Sequence, residues 1–310
     1  MSARLLQISG VVVDLMYNVD AVPTPGEEAI VNGFSIAPGG GFNAMVAAKR
    51  AGMDVHYGGA LGTGPFARIA REGLNSEGIA FQRPQDTERD QGCCTVMIDQ
   101  TGDRTFLASD GAEGHTTLRA LEGLNAASFD WTLLSGYALH YKGSGPALIE
   151  WLQSDAHVSR LVFDPSPLVA ALPPEALAAT RARATWISAN AREAAVMAGM
   201  TDPLQAAKAL AREMPAEGGA VVRDGSNGCI VATANYCETL PAHAVMPIDT
   251  NGAGDTHLGS FIARLAEGDS PVQAARYANV AAGLSTMRHG PATAPEKAEV
   301  IAEMNRKEAV

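Results

Sequence analysis

No apolar stretch in this chain approaches the length of a membrane span, and it has no internal repeat, low-complexity tract or long linker. The first absence argues against a helical membrane protein, and the others against solenoids and strings of modules, so a single domain over residues 1–310 is expected. Cysteine is scarce. Cys93, Cys94, Cys229 and Cys237 supply no pair of Cys-x-x-Cys hooks and no histidine at zinc spacing, so free thiols in a reducing cytoplasm are expected. The opening residues, Met1 to Gly10, are too short and polar a run for a signal h-region, which agrees with a cytoplasmic location. Basic residues are outnumbered, 23 Lys and Arg against 34 Asp and Glu, and the net charge of −11 argues against a nucleic-acid partner. A small phosphorylated ligand stays compatible, because local N–H groups and magnesium override net charge. Gly10-Val11-Val12-Val13-Asp14 also lacks the Gly-x-Gly-x-x-Gly fingerprint that a nicotinamide dehydrogenase should show in its first βα unit.

What is abundant is apolar material, 46% of 310 residues, enough for a large core. Short apolar runs alternate with Ala-rich segments of helical spacing. Leu5 to Val13 reads as a first strand, Ala44 to Arg50 as a helix, Val55 to Ala60 as a strand and Phe66 to Glu77 as a helix. Further strands are expected at Trp131 to Leu134, Arg160 to Phe163, Thr185 to Ser188 and Ala220 to Arg223, with helices such as Pro146 to Gln153 and Leu204 to Arg212 between them. This rhythm predicts an α/β fold, a mainly parallel sheet covered on both faces, with ligands at the carboxyl ends of its strands. One segment breaks it: Cys93 to Asp99 and Asp103 to Ala108 alternate apolar and polar residues around Gln100-Thr101-Gly102, an antiparallel hairpin suited to covering a site.

The richest stretch is Asp249-Thr250-Asn251-Gly252-Ala253-Gly254-Asp255. Gly252 and Gly254 carry no Cβ, so the N–H groups of Gly252, Ala253 and Gly254 can face one anion, and the helix that follows adds its dipole. A carboxylate beside a phosphate needs a reason; for Asp255 it is taking the proton of a hydroxyl that attacks the γ-phosphate. Pro38-Gly39-Gly40-Gly41-Phe42-Asn43 offers close backbone approach and, in Asn43, an amide that both donates to and accepts from sugar hydroxyls, or caps a helix. Asp14 ends the first strand, either as a solvated acid or as a carboxylate accepting two hydroxyls from one sugar. Asn190-Ala191-Arg192-Glu193 can be a capping box, a pair of oxygen ligands for hydrated magnesium, or both. His257 points about 200° around the helix from Asp255 and reads as structural.

The heptad resembles the second signature of the ribokinase-like (PfkB) carbohydrate kinases, Asp-Thr-x-Gly-Ala-Gly-Asp, with Asn251 at the variable place. The Gly39 to Asn43 stretch is similar to the family's first signature, although Pro38 stands where its first glycine would be. Gly62-Thr63-Gly64-Pro65-Phe66-Ala67 departs from the family's Gly-x-Asp-x-Phe-Gly by lacking the Asp and the last Gly. The resemblance implies a three-layer αβα sandwich plus a small β-sheet lid built from residues 12–36 and 92–110. It implies an ATP- and magnesium-dependent sugar kinase in which Asp255 is the base, and Asp14, Gly39, Gly40, Gly41 and Asn43 bind the acceptor. Asn190, Glu193, Gly225, Ser226, Gly228 and Asn279 would bind the nucleotide, Glu193 and Asn190 holding magnesium through water. Asp249 and Asn251 would hold a potassium-like ion through backbone carbonyls, and the lid would form a homodimer. A nucleoside kinase of the same family, or a non-catalytic sugar- or nucleotide-binding homologue, are the alternatives.

Overall fold

The computed structural model describes residues 2–154 and 160–308. From the amino end the strands are β1 (Arg4–Gln7), β2 (Val11–Val19), β3 (Val31–Gly40), β4 (Asp54–Tyr57), β5 (Ala80–Phe81), β6 (Cys93–Ile98) and β7 (Arg104–Ser109). They continue with β8 (Trp131–Ser135), β9 (Arg160–Asp164), β10 (Ala184–Asn190), β11 (Gly219–Arg223), β12 (Cys229–Thr233) and β13 (Cys237–Leu240). Nine form the main sheet, ordered β13-β12-β11-β10-β9-β8-β1-β4-β5, and four form the lid, ordered β3-β2-β6-β7. From β11 to β5 every pairing is parallel, and β12 and β13 add antiparallel strands at one edge.

Strands of the main sheet are apolar on both faces because each feeds two cores. Leu5, Leu133, Val162, Trp186 and Val221 join one, beneath helices Gly41–Arg50, Ala253–Glu267 and Pro271–Ser285. Leu6, Leu134, Phe163, Ile187 and Val222 join the other, beneath helices Ser144–Gln153, Pro174–Arg183 and Pro203–Arg212. The three-layer sandwich and its separate lid are therefore both present.

Leu5 to Val13 is not one strand. It divides into β1 of the main sheet and β2 of the lid, and the chain changes sheets through Ile8, Ser9 and Gly10. A Cβ on Gly10 would lie 2.6 Å from Glu113 Cγ, so glycine is what lets the backbone pass. Nor is Pro38 to Gly41 a free loop: Gly39 and Gly40 end β3, and Gly41 starts the next helix.

All four crossings between lid and core fall at glycines: Gly10, the Gly40–Gly41 pair, Gly92 and Gly111. The buried Glu113 carboxylate gathers them, accepting the N–H groups of Gly92 at 2.9 Å and Gly111 at 3.0 Å and the amide of Gln91 at 2.9 Å. Gln91 also donates to Val11 O at 2.6 Å, and Gly41 N–H donates to Gly10 O at 2.9 Å.

Register divides the lid into two faces. Asp14, Ala37, Cys94 and Ala108 share the inner face with the row Asn18, Gly33, Ile98 and Arg104. Leu15, Ile36, Thr95 and Leu107 lie on the outer face with Tyr17 and Phe34.

Candidate active site

Parallel strands all end at one edge of the main sheet, which brings Ser135, Asp164, Asn190 and Arg223 side by side at the ends of β8, β9, β10 and β11. Facing that edge is the amino end of the Ala253–Glu267 helix. Gly252, at φ +72°, adopts the left-handed conformation that turns the chain into it.

Asp255 lies in the first turn of this helix. Asn43 Nδ2 donates to its Oδ2 at 3.2 Å, joining two motifs 212 residues apart. Asn43 is buried, and its Oδ1 has no hydrogen-bond partner among the described residues, an unsatisfied acceptor beside Asp255. Gly252 packs against the same amide: a Cβ there would meet Asn43 Nδ2 at 3.6 Å. Burial, then the negative charge of Asp164, pushes the Asp255 carboxyl up to about 7 against the opposing pull of Asn43 and Arg223. A carboxylate tuned this close to neutrality has the proton affinity a general base needs.

Across the cleft, Asp14 projects from the inner face of the lid, and burial pushes its carboxyl up to about 6. A Cβ on Gly39 would fall 2.0 Å from Asp14 Oδ2, so the glycine makes room for this carboxylate. Its role here is space, in addition to any backbone approach. Pro38 faces the other way and packs on Gly73, where a Cβ would lie 2.5 Å from Pro38 Cγ. The departure from the family signature at Pro38 therefore falls on the face away from Asp14.

A second cluster surrounds Arg223. Its Nη1 donates to Ser188 Oγ at 2.6 Å, and its Nη2 lies 3.2 Å from Asp164 Oδ2 and 3.7 Å from Glu193 Oε2. Gly254 sits against the guanidinium, since a Cβ there would lie 3.6 Å from Arg223 Nε. The Asn190–Glu193 capping box is fully formed: Glu193 N–H donates to Asn190 Oδ1 at 2.8 Å and Asn190 N–H to Glu193 Oε2 at 2.8 Å. Burial and the charge of Asp164 raise the Glu193 carboxyl, with Arg223 pulling the other way. These hard oxygen donors suit magnesium, but each already accepts a protein N–H, Glu193 Oε1 from Asn190 Nδ2 at 2.7 Å, and no group of three or more metal-binding side chains occurs among the described residues, so an ion here would be held through water.

Arg223 is the residue that motif reading missed; the available signal was a cation closing an apolar strand just before the Gly225 turn. Tyr137 was missed too. It starts the short helix after β8 and is 46% exposed, and its phenol is pushed up to about 12 by burial and by the charges of Asp164 and Asp255.

Other residues singled out from sequence lie further away or are otherwise engaged. Gly225, Ser226 and Gly228 form the turn joining β11 to β12, with Asp224 N–H donating to Gly228 O at 2.8 Å. The Asn279 amide donates to Pro241 O at 2.9 Å and lies 3.2 Å from His257 Nε2, so both its ends are held by protein atoms. His257 is buried and its imidazole is depressed to about 3 by burial, which keeps it neutral, in keeping with the structural reading. Asp249 binds Asn251 N–H at 2.9 Å, Gly290 N–H at 3.1 Å and Arg104 Nη2 at 2.7 Å. All four cysteines are free thiols.

Known proteins resemble this chain over nearly its whole length. The model of a family described as pfkB family carbohydrate kinase matches residues 3–298. An uncharacterized sugar kinase of Escherichia coli is 27% identical over 300 residues, spanning 96% of this chain and 92% of its own. A Bacillus subtilis ribokinase is 28% identical over 284 residues, 89% of this chain and 90% of its own. The solved structure of an adenosine kinase from Sinorhizobium meliloti superposes with a TM-score of 0.84 at 20% identity, covering 98% of this chain and all of that one, a likeness of fold.

Proposed function

Because the chain belongs to the pfkB family of carbohydrate kinases, we propose that it transfers the γ-phosphoryl group of ATP to a hydroxyl of a small sugar of the ribose, hexose or keto-sugar acid class in the cytoplasm. The observation that supports this reading is the Asn43–Asp255 hydrogen bond, which brings the Gly39–Asn43 stretch and the Asp249–Asp255 turn together at one carboxylate. Asp14 and Asn43 orient the sugar, and Asp255 takes its hydroxyl proton as the new oxygen–phosphorus bond forms and the bond to ADP breaks. The helix amino end and the Arg223 guanidinium stabilise the charge on the phosphoryl oxygens. Magnesium, held through water by Glu193 and Asn190, would neutralise the phosphates. A potassium-like ion would meet backbone carbonyls near Asp249 and Asn251, since the Asp249 carboxylate already serves Arg104 and two N–H groups.

The acceptor is a sugar without a phosphate of its own. Arg89 is paired with Asp86 on the surface and Arg104 with Asp249, so both lid-side arginines already hold carboxylates. Coupled ADP release across neutral sugars, phosphorylated sugars and nucleosides tests this, and turnover with phosphorylated sugars alone would refute it. Tyr137 favours the nucleoside reading as the second one, because an exposed aromatic beside the acidic cluster can stack on a base.

The outer face of the lid fits a second copy of the chain. Phe34 and Leu107 are 56% and 69% exposed and share that face with Ile36, an apolar patch on a four-stranded sheet. Replacing Leu107 with Glu is expected to convert a dimer to a monomer in sedimentation; an unchanged mass would remove the lid from the interface.

A further inference from the structure

We propose that Arg104 is a positioning residue that couples the lid to the phosphate turn, an inference whose catalytic consequence rests on the kinase reading while its geometry does not. Arg104 opens β7 on the lid's inner face, the face that carries Asp14. Its Nη2 reaches Asp249 Oδ1 at 2.7 Å across 145 residues of sequence, and the two side chains are only 24% and 17% exposed.

Asp249 is not an isolated acid. Its Oδ1 also accepts the N–H of Asn251, inside the turn that leads to Asp255, and its Oδ2 accepts the N–H of Gly290 at 3.1 Å. Its own N–H donates to Thr286 O at 3.0 Å. One carboxylate thus shapes the phosphate turn, ties it to residues 285–292 and holds the tip of the lid. Removing the guanidinium leaves that carboxylate with N–H donors alone, so turn and lid lose a shared anchor together. Arg104 Nε is buried without a partner, which makes the ion pair itself the feature that fixes this side chain. The pair closes the cleft at the end remote from the glycine crossings. Acceptor capture beneath the lid and correct seating of the phosphate turn become one event.

The test compares wild type with Arg104→Ala and Arg104→Lys. Hydrogen exchange is followed in residues 93–109 and 249–256, together with transfer to an acceptor and ADP release without one. For the Ala variant, exchange rises in both segments and kcat falls up to about 10²-fold, the cost of misplacing reacting groups by about 1 Å, while KM for ATP is little changed. ADP release without acceptor rises relative to transfer, because the unlatched lid admits water, and the Lys variant recovers most of each effect. Faster exchange confined to residues 93–109, or a loss in KM alone with no rise in idle ADP release, overturns the proposal and leaves Arg104 a local clip. Should wild type phosphorylate no acceptor while both segments still respond together in exchange, the kinase reading fails and the coupling stands.

Discussion

Asp255→Asn is expected to lower turnover by roughly 10²- to 10⁴-fold, the usual worth of a positioned general base, with affinity for ATP almost intact. The amide keeps the shape of the carboxylate and can still meet Asn43, so the fold should persist, but it cannot take a proton. A pH profile separates this from a mere packing defect. With the Asp255 carboxyl held near 7, the group is protonated and inactive in acid and becomes a base as pH rises through that value. In wild type, kcat/KM for the acceptor should therefore climb toward a plateau above about 7, since that parameter reports the free enzyme. The Asn variant should lose this limb, and a variant with full activity and an unchanged profile would remove Asp255 from the chemistry.

Arg223→Met is expected to lower kcat by roughly 10²- to 10³-fold, comparable with deleting one preorganised donor to a developing oxyanion. Its effect should be distinguishable from that of Asp255. Without the guanidinium, Asp164 and Glu193 face each other uncompensated and the pull that keeps the Asp255 carboxyl down is gone, so the acid limb of the profile should move to higher pH. Arg223 and Asp164 are partly buried, so breaking the pair costs less than the roughly 3–5 kcal/mol of a fully buried one, and Arg223→Lys, which keeps a cation, is the necessary companion. Partial recovery of rate in the Lys variant, and recovery of the Met variant by guanidinium ion in solution, are the expected signatures. A Met variant with normal kcat and a profile that has not moved would show that Arg223 serves packing alone.

The Asp249–Asp255 turn was legible because a left-handed turn into a helix forces local backbone geometry. Gly252 needs a positive φ to turn the chain into the helix and Asp255 must fall in its first turn, so a short contiguous motif records both. The main sheet was legible for a related reason, since strands that feed two cores appear as unbroken apolar runs. What sequence could not show depends on contacts made far along the chain. Arg223 looks like any charged residue closing a strand until its neighbours Asp164 and Glu193 arrive from the adjacent strand ends. The Arg104–Asp249 pair spans lid and core and has no local pattern. Leu5 to Val13 misled because β1 and β2 are equally apolar, and the change of sheet at Gly10 is set by the bulk of Glu113. Asn279 is a different case: a buried amide on a helix reads the same whether a ligand or Pro241 takes its N–H.

The glycine crossings at the base of the lid have a mechanical consequence. Each of the four crossings into or out of the lid includes a glycine, Gly10, Gly40 with Gly41, Gly92 or Gly111, and their contacts with one another, Gln91 and Glu113 draw them into a single knot. Ladder hydrogen bonds already hold the four strands in one register, so the lid turns as a unit. A common joint makes the lid a leaf on one pivot, so the position of Asp14 over Asn43 and Asp255 is governed by a single opening angle. A lid of different face residues hung on the same pivot would bring a different acceptor to the same phosphoryl group, which is how one chemistry can be retained while the sugar it serves is exchanged.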